Sequence, residues 1–361
     1  LSPFFVEAAS VPELSAGIGS VTLLMAVPIA LVQTDIKRVI AYSTMSQIGY
    51  MFLAAGITAY GPAMFHLMTH AFFKALLFLA AGIVIHALVG EQDMRRMGGL
   101  RKRLPRTYAV TLIGALALAG IPPLSGFWSK DAILSSALAA GLYGQILWVV
   151  GLVGAFLTAL YTFRMIFIVF WGEPSPYARE HFHRPKGTEP NVWMAWTVGV
   201  LALLSVVGGW FQVAGLWETI TEFIEPVAET GVEPSGLEDL VTSVIAVALA
   251  VAGIYLAWAV YVADKIRVPD YPALQHVLEK KFYWDEAYDL AFYRPTVWIA
   301  NAFYRWVERP LIAGSIQGLT YGARFLSGRT GEVQTGLTRT YVFALGAGVA
   351  VLALVFLAVR G

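Results

Sequence analysis

The feature that most limits what this chain can fold into is a series of apolar blocks, each 20 or more residues long. A helix crosses the ~30 Å hydrocarbon layer of a bilayer in ~20 residues, so blocks of this length read as membrane spans. The chain is 58% hydrophobic and its mean hydropathy is +0.66, far from a soluble average. Eight spans follow, at roughly 12–34, 36–59, 61–89, 106–141, 144–171, 190–212, 237–263 and 338–360. The fold class expected is an all-α polytopic membrane protein with about eight transmembrane helices, one of them broken, plus a long amphipathic lateral helix.

The block at 106–141 is too long for one straight helix. Gly120, Pro122, Pro123 and Gly126 supply an interruption, because proline removes a backbone donor and glycine frees the backbone. Unwound backbone at membrane depth survives only where protein buries it or water reaches it. Lys130, just after the break, is therefore expected beside a cavity.

Charge is distributed unevenly between the two sets of connections. Of the 25 Lys and Arg residues, all but Lys74, Lys130, Arg164 and Arg360 fall on one side, in the segments around Lys37 and Arg38, RRMGGLRKRLPR, Arg179 to Lys186, and Lys265 to Arg339. The opposite side carries an acidic loop at 213–239, with Glu218, Glu222, Glu225, Glu229, Glu233, Glu238 and Asp239. The positive-inside rule places the basic loops in the cytoplasm. The first residues, LSPFFVEAAS, lack an initiator Met and a basic signal region, so 1–11 reads as the end of a preceding segment.

Residues 283–326 are too charged to cross and too aromatic for an ordinary loop. Phe292, Ile299, Phe303 and Trp306 recur at helical spacing, with Arg294, Asn301, Arg305 and Glu308 on another face. A helix lying along the interface on the cytoplasmic side fits this pattern, either as a clamp on neighbouring subunits or as an anchor for this chain alone. Pro295 and Pro310 imply bends within it.

Two lysines inside apolar spans carry the functional signal. A charge at mid-membrane costs ~2.5–3.5 kcal/mol on insertion scales, so such residues are rare without a use. Lys74 closes the run FHLMTHAFFK, in which His66, His70 and Lys74 are spaced four apart on one helical face. Histidine titrates near neutrality, and desolvation makes a buried lysine a usable proton carrier. His66 and Lys74 lie ~12 Å apart along the helix, so a proton route between them needs His70 and water. The residues expected to carry or tune such a route are Lys130, Lys74, His70, His66, Asp131 and Arg164. Blander readings stand beside this one. The histidines could bond only to neighbouring helices or ligate a metal or haem, Asp131 could neutralise Lys130, and Arg164 could snorkel to the surface. Asp35, Lys37, Arg38, His181 and His183 read as solvated, and His86 and His276 give no signal. With no cysteine in the chain, disulfides, thiolate-held iron–sulfur clusters and cysteine nucleophiles are excluded.

At FHLMTHAFFKALLFLA the chain resembles the antiporter-like, proton-translocating subunits of bacterial respiratory complex I (NADH:quinone oxidoreductase), in particular the C-terminal portion of the subunit L family. The likeness continues through QTDIKRVIAYSTMSQIGYMFLA, GEQDMRRMGGLRKRLP, LSGFWSKDAIL, YTFRMIF and KFYWDEAYD. The resemblance implies that 12–171 is the second of two inverted five-helix repeats, that 190–263 adds two further helices, and that 338–360 follows the lateral helix at 283–326. It places Lys74, His66 and His70 in a central hydrophilic axis and Lys130 at the broken helix, handing protons to the external side. The family's first repeat, with its glutamate–lysine pair, is missing, so these residues alone make only part of a path. It further implies no cofactor in this chain, no redox centre of its own, and a place in the bacterial inner membrane. The partners implied are other membrane-arm subunits, neighbouring antiporter-like subunits through 283–326, and lipids, with no nucleic acid. A multisubunit sodium/proton antiporter shares the repeat and remains open, as does a mainly structural role.

Overall fold

The computed structural model describes residues 10–182, 192–213, 217–228, 231–268 and 271–360. Residues 1–9, expected to end a preceding segment, lie outside that set, as do His183, Arg184, Lys186 and Glu229. The chain divides into two units, 1–282 and 283–361.

In the first unit, α1 (Val11–Val32), α2 (Ile36–Gly56), α3 (Tyr60–Ala87), α4 (Pro105–Ala119), α5 (Ser125–Ala139) and α6 (Gly141–Phe170) form the bundle. After the short α7 (Pro176–His181) come α8 (Val192–Val207), α9 (Thr219–Ile224), α10 (Gly236–Tyr261) and α11 (Pro272–Glu279). A two-residue antiparallel pair, β1 (Gln212–Val213) with β2 (Trp217–Glu218), is the strand structure among the described residues. The second unit contains a composite helix α12 over 284–333 and α13 (Thr338–Arg360).

Six described helices are long and apolar enough to cross a membrane, not eight. The difference has two physical sources. Helix α2 is 21 residues long but carries Lys37, Arg38 and a polar stripe, which lowers its hydropathy. The expected fourth span is split into α4 and α5, 15 residues each.

Helix α6 packs against α1, α2, α4, α5 and α10, whereas α3 packs against α2, α4, α5 and α8. Close approach of α1 to α2 depends on glycine, as is usual where helices meet inside a membrane. A Cβ at Gly19 would lie 2.7 Å from the Gly49 carbonyl oxygen, and one at Gly49 would lie 2.7 Å from that of Gly19. On the basic side, the turn before α2 pairs with the 91–103 loop: Ile36 N donates to Gln92 O at 3.0 Å and Met94 N to Thr34 O at 2.8 Å. Asp35 caps α2 by accepting from Arg38 N at 3.0 Å. Arg95 and Arg96 pair with Asp93 and Glu91, each at 2.7 Å, which holds the loop's own shape more than it stabilises the fold.

The interruption in the fourth span lies between Ala119 and Ser125. Gly120 ends α4 with φ of +78°, a left-handed cap that suits glycine. Gly126 is flush with the Ala117 carbonyl, where any Cβ would fall. The break thus brings the C-terminal end of α4 against the first turn of α5.

Helix α12 carries the two prolines at which bends are expected. Its segments Trp284–Tyr288, Arg294–Phe303 and Gly314–Val333 are α-helical, and the joining segments Asp289–Tyr293 and Tyr304–Ala313 are π-helical. One wide turn precedes Pro295 and the other contains Pro310. Widening to i→i+5 spacing accommodates a missing N–H and relieves the proline ring's clash with the preceding turn. The backbone therefore stays helical across both joins, with Arg294 at φ −61°, ψ −45° and Tyr304 at φ −59°, ψ −46°. At ~1.5 Å per residue the run extends roughly 75 Å. Phe292, Phe303 and Trp306 are all exposed within this unit, as are the large apolar residues of α13.

Candidate functional site

Four helices deliver polar groups into the apolar bundle. Lys74 lies midway along the 28-residue α3 and is 4% exposed, and Lys130 in the second turn of α5 is 2% exposed. Each ammonium has a hydrogen-bond acceptor. Lys74 Nζ donates to the Ser43 hydroxyl on α2. Lys130 Nζ donates to the Leu118 carbonyl at 2.7 Å. That carbonyl belongs to the last turn of α4, where the break removes the N–H partners a continuing helix would supply. The negative end of the α4 dipole also points there, so the interruption creates the site that holds Lys130. The Tyr50 ring centroid is 5.6 Å from Lys130 Nζ. Among the described residues neither lysine is in an ion pair, although Asp131 follows Lys130 directly.

His66 occupies the middle of a side-chain network. Its Nδ1 is 2.9 Å from Ser129 Oγ and its Nε2 is 3.2 Å from Gln47 Oε1. Ser129 Oγ is 2.6 Å from Thr69 Oγ1, and Gln47 Nε2 donates to Ser46 Oγ at 3.2 Å. Ser46 Oγ is in turn 3.4 Å from the Tyr161 hydroxyl and donates to Ser43 O at 2.9 Å. The network thus runs from α5 through α3 and α2 to α6, all of it buried.

His70 stands outside this network. Its ring centroid is 6.1 Å from that of His66, and its Nε2 is buried without a hydrogen-bond partner. Asp131 turns away from Lys130, as consecutive helix positions do. It accepts from Ser243 on α10, and its Oδ2 has no partner. It lines a cavity of about 510 Å³ together with Ser135, Gln212, Trp217, Glu218 and Glu222. Burial, reinforced by Asp239 and Glu233, pushes the Glu218 carboxyl above its ordinary range. Arg164 is buried and donates to the Gln33 carbonyl at 2.8 Å, with its guanidinium 5.9 Å from the Tyr261 ring. It caps the end of α1 and does not reach the polar network. No group of three or more His, Cys, Asp or Glu residues able to hold a metal occurs among the described residues.

The sequence pointed to the lysines and histidines but not to Ser43, Ser46, Gln47, Tyr50, Thr69, Ser129 or Tyr161. One signal could have found several of them. Ser43, Ser46, Gln47 and Tyr50 fall at i, i+3, i+4 and i+7, a polar stripe on a helix otherwise bound for lipid. Ser129 and Thr69 carry no such signal, since lone hydroxyls are common in membrane helices.

Known proteins place the chain. The family described as NADH:quinone oxidoreductase/Mrp antiporter, TM, matches residues 2–158. NADH-quinone oxidoreductase subunit L of Rhodobacter capsulatus is 35% identical over all of this chain and 60% of its own length. The subunit L of Pseudomonas aeruginosa is 41% identical over 96% of this chain and 54% of its own length. That of Escherichia coli is 54% identical over 57% of this chain and 32% of its own. The chain thus spans about half to 60% of the first two relatives. Among solved structures, the Mrp complex from Dietzia sp. DQ12-45-1b superposes with a TM-score of 0.53 at 21% identity, covering 94% of this chain and 33% of that one. A chain of an archaeal membrane-bound sulfane sulfur reductase gives 0.52 at 23%, covering 95% and 56%. At these identities the two structures speak for the fold. The subunit L sequences speak for more: over 96% or more of its length this chain is similar to NADH-quinone oxidoreductase subunit L.

Proposed function

We propose that this chain is part of a membrane-arm subunit of a proton-pumping NADH:quinone oxidoreductase and that it relays protons through Lys74, Lys130 and the groups between them toward the external side. The observation that carries this reading is the pair of buried lysine amino groups held by a hydroxyl and a carbonyl. A lysine locked to a carboxylate would keep its proton, whereas a lysine on neutral acceptors can give it up. The hydroxyls, imidazoles and the Asp131 cavity supply exchange partners on the way out. In this role the chain performs translocation and no redox step of its own. It needs no cofactor, and the NADH and quinone chemistry belongs to other subunits. It lies in a bacterial inner membrane with the basic loops and α12 on the cytoplasmic side. The exposed aromatic face of α12 meets neighbouring antiporter-like subunits and lipid.

Lys130→Ala in the assembled complex is expected to abolish or sharply reduce the protons moved per quinone reduced. Normal stoichiometry in an assembled mutant refutes the role. A multisubunit sodium/proton antiporter remains the alternative for the same site. Transport that proceeds without quinone reduction and requires sodium would favour it.

A further inference from the structure

The hydrogen-bond pattern around His66 has a direction, and that direction is set by Gln47. Ser46 has a single hydroxyl hydrogen, and the short contact to Ser43 O at 2.9 Å takes it. What Ser46 offers its other neighbours is therefore lone pairs. The Gln47 amide must present its N–H₂ to Ser46, at 3.2 Å, and its oxygen to His66. An amide oxygen only accepts. His66 Nε2 must then carry a hydrogen, because a lone pair there would face another at 3.2 Å. Nδ1 is left as the nitrogen whose state can change.

Both protonation states of His66 satisfy the site. With His66 neutral, Ser129 donates to Nδ1 at 2.9 Å and Thr69 donates to Ser129 at 2.6 Å. With His66 protonated, Nδ1–H donates to Ser129, which donates either to the Ser125 carbonyl at 3.3 Å or to Thr69, and in the second case Thr69 donates to the His66 carbonyl at 3.2 Å. Every hydrogen has an acceptor in both states, while Nε2–H and Gln47 do not change.

From this pattern we infer that Gln47 is a positioning residue that holds His66 as its Nε2–H form, so that His66 takes up and releases protons only at Nδ1, through Ser129 on the α5 side. The inference rests on the proton-relay reading. A proton arriving at Thr69 passes one hydrogen from Thr69 to Ser129 and one from Ser129 to Nδ1. Each hydroxyl gains one and loses one, and the ring gains a single positive charge. The return follows the same atoms. His66 is therefore a proton store reached from the broken helix and not a conduit that passes protons through its ring from one nitrogen to the other. The through-route between Lys74 and Lys130 then falls to His70, whose Nε2 is buried and unengaged. The titratable groups that face His66 are His70 and Lys74 on its own helix, Lys130 from α5, Tyr50 from α2 with ring centroids 6.4 Å apart, and Tyr161 from α6 by way of Ser46.

Solid-state NMR of ¹⁵N-histidine-labelled complex, with His66 assigned by difference from His66→Gln, tests this directly. Across the pH range the Nε2 resonance should remain of the N–H type and only Nδ1 should titrate. In Gln47→Met, which fills the same space without an acceptor, the asymmetry should be lost and both nitrogens should titrate. Gln47→Glu, which keeps an oxygen toward Nε2, should restore it. An Nε2 resonance without hydrogen at alkaline pH in the wild type, the mark of an amide turned the other way, overturns the inference. So does Gln47→Met with an unchanged spectrum. These spectra do not depend on pumping, so a Lys130→Ala complex that pumps normally would fail the transport reading without touching this result.

Discussion

The two units treat polarity in opposite ways. In 10–282 the bundle turns polar groups inward: His66, Gln47, Ser46, Ser129 and Tyr161 are buried in one network across four helices, and Lys74 and Lys130 are buried on the Ser43 hydroxyl and the Leu118 carbonyl. In 283–361 the aromatic and aliphatic side chains of α12 and α13 are exposed. A charge or amide buried in an apolar bundle is retained against a cost of several kcal/mol unless it is partnered, which ties the first unit's value to what its interior does. An extended helix with bare apolar surface is unfavourable in water, which ties the second unit's value to what covers it.

Breaking the outward-facing region should have the largest effect. Removal of 283–337 is expected to leave no assembled membrane arm on a native gel, and an intact, active complex after that deletion would erase the contrast. Next comes the break in the inward-facing region. Gly126→Val puts branched carbons onto the Ala117 carbonyl, with a cost of at least ~1–3 kcal/mol for overpacking. Thermal unfolding should drop accordingly, and pumping should fall further than stability because Lys130 loses its carbonyl partner. Arg164→Gln tests whether burial alone implies transport. It removes a bond to the Gln33 carbonyl, costs ~1 kcal/mol, and should leave the protons moved per quinone unchanged. Loss of pumping there would extend the functional interior to α6's basic end.

The smallest effect concerns the acidic cavity. The Glu218 carboxyl is raised by burial, so the folded state favours its protonated form, and that contribution to stability is present at acid pH and lost as pH rises through the raised value. Glu218→Gln should therefore give a slight rise in melting temperature at neutral pH and none at pH 4. A rise at both would point to a cause other than titration.

Much of this was legible in residue order. Apolar block length fixed the membrane fold, and Gly120 and the proline pair located the interruption. The i, i+4, i+8 placement of His66, His70 and Lys74 put all three on one face, because helical periodicity is a local property. The prolines of α12 show only a missing N–H in the sequence, and that the backbone answers with π-helical turns came from the structure. Arg164 and Asp131 looked like equal members of the site, yet one caps a helix end and the other opens onto a cavity.

What the sequence determined by itself, then, is which segments enter the membrane and which charges go with them, since transfer free energy is set by composition over ~20 residues. Partnership was decided by tertiary structure alone. That Lys130 meets the Leu118 carbonyl, that Lys74 meets Ser43, and that Gln47 turns its oxygen to His66 are contacts between separate helices that no local pattern specifies. Hydrogen bonds depend on tenths of an ångström and on the direction of each donor, and only packing of the whole bundle supplies those.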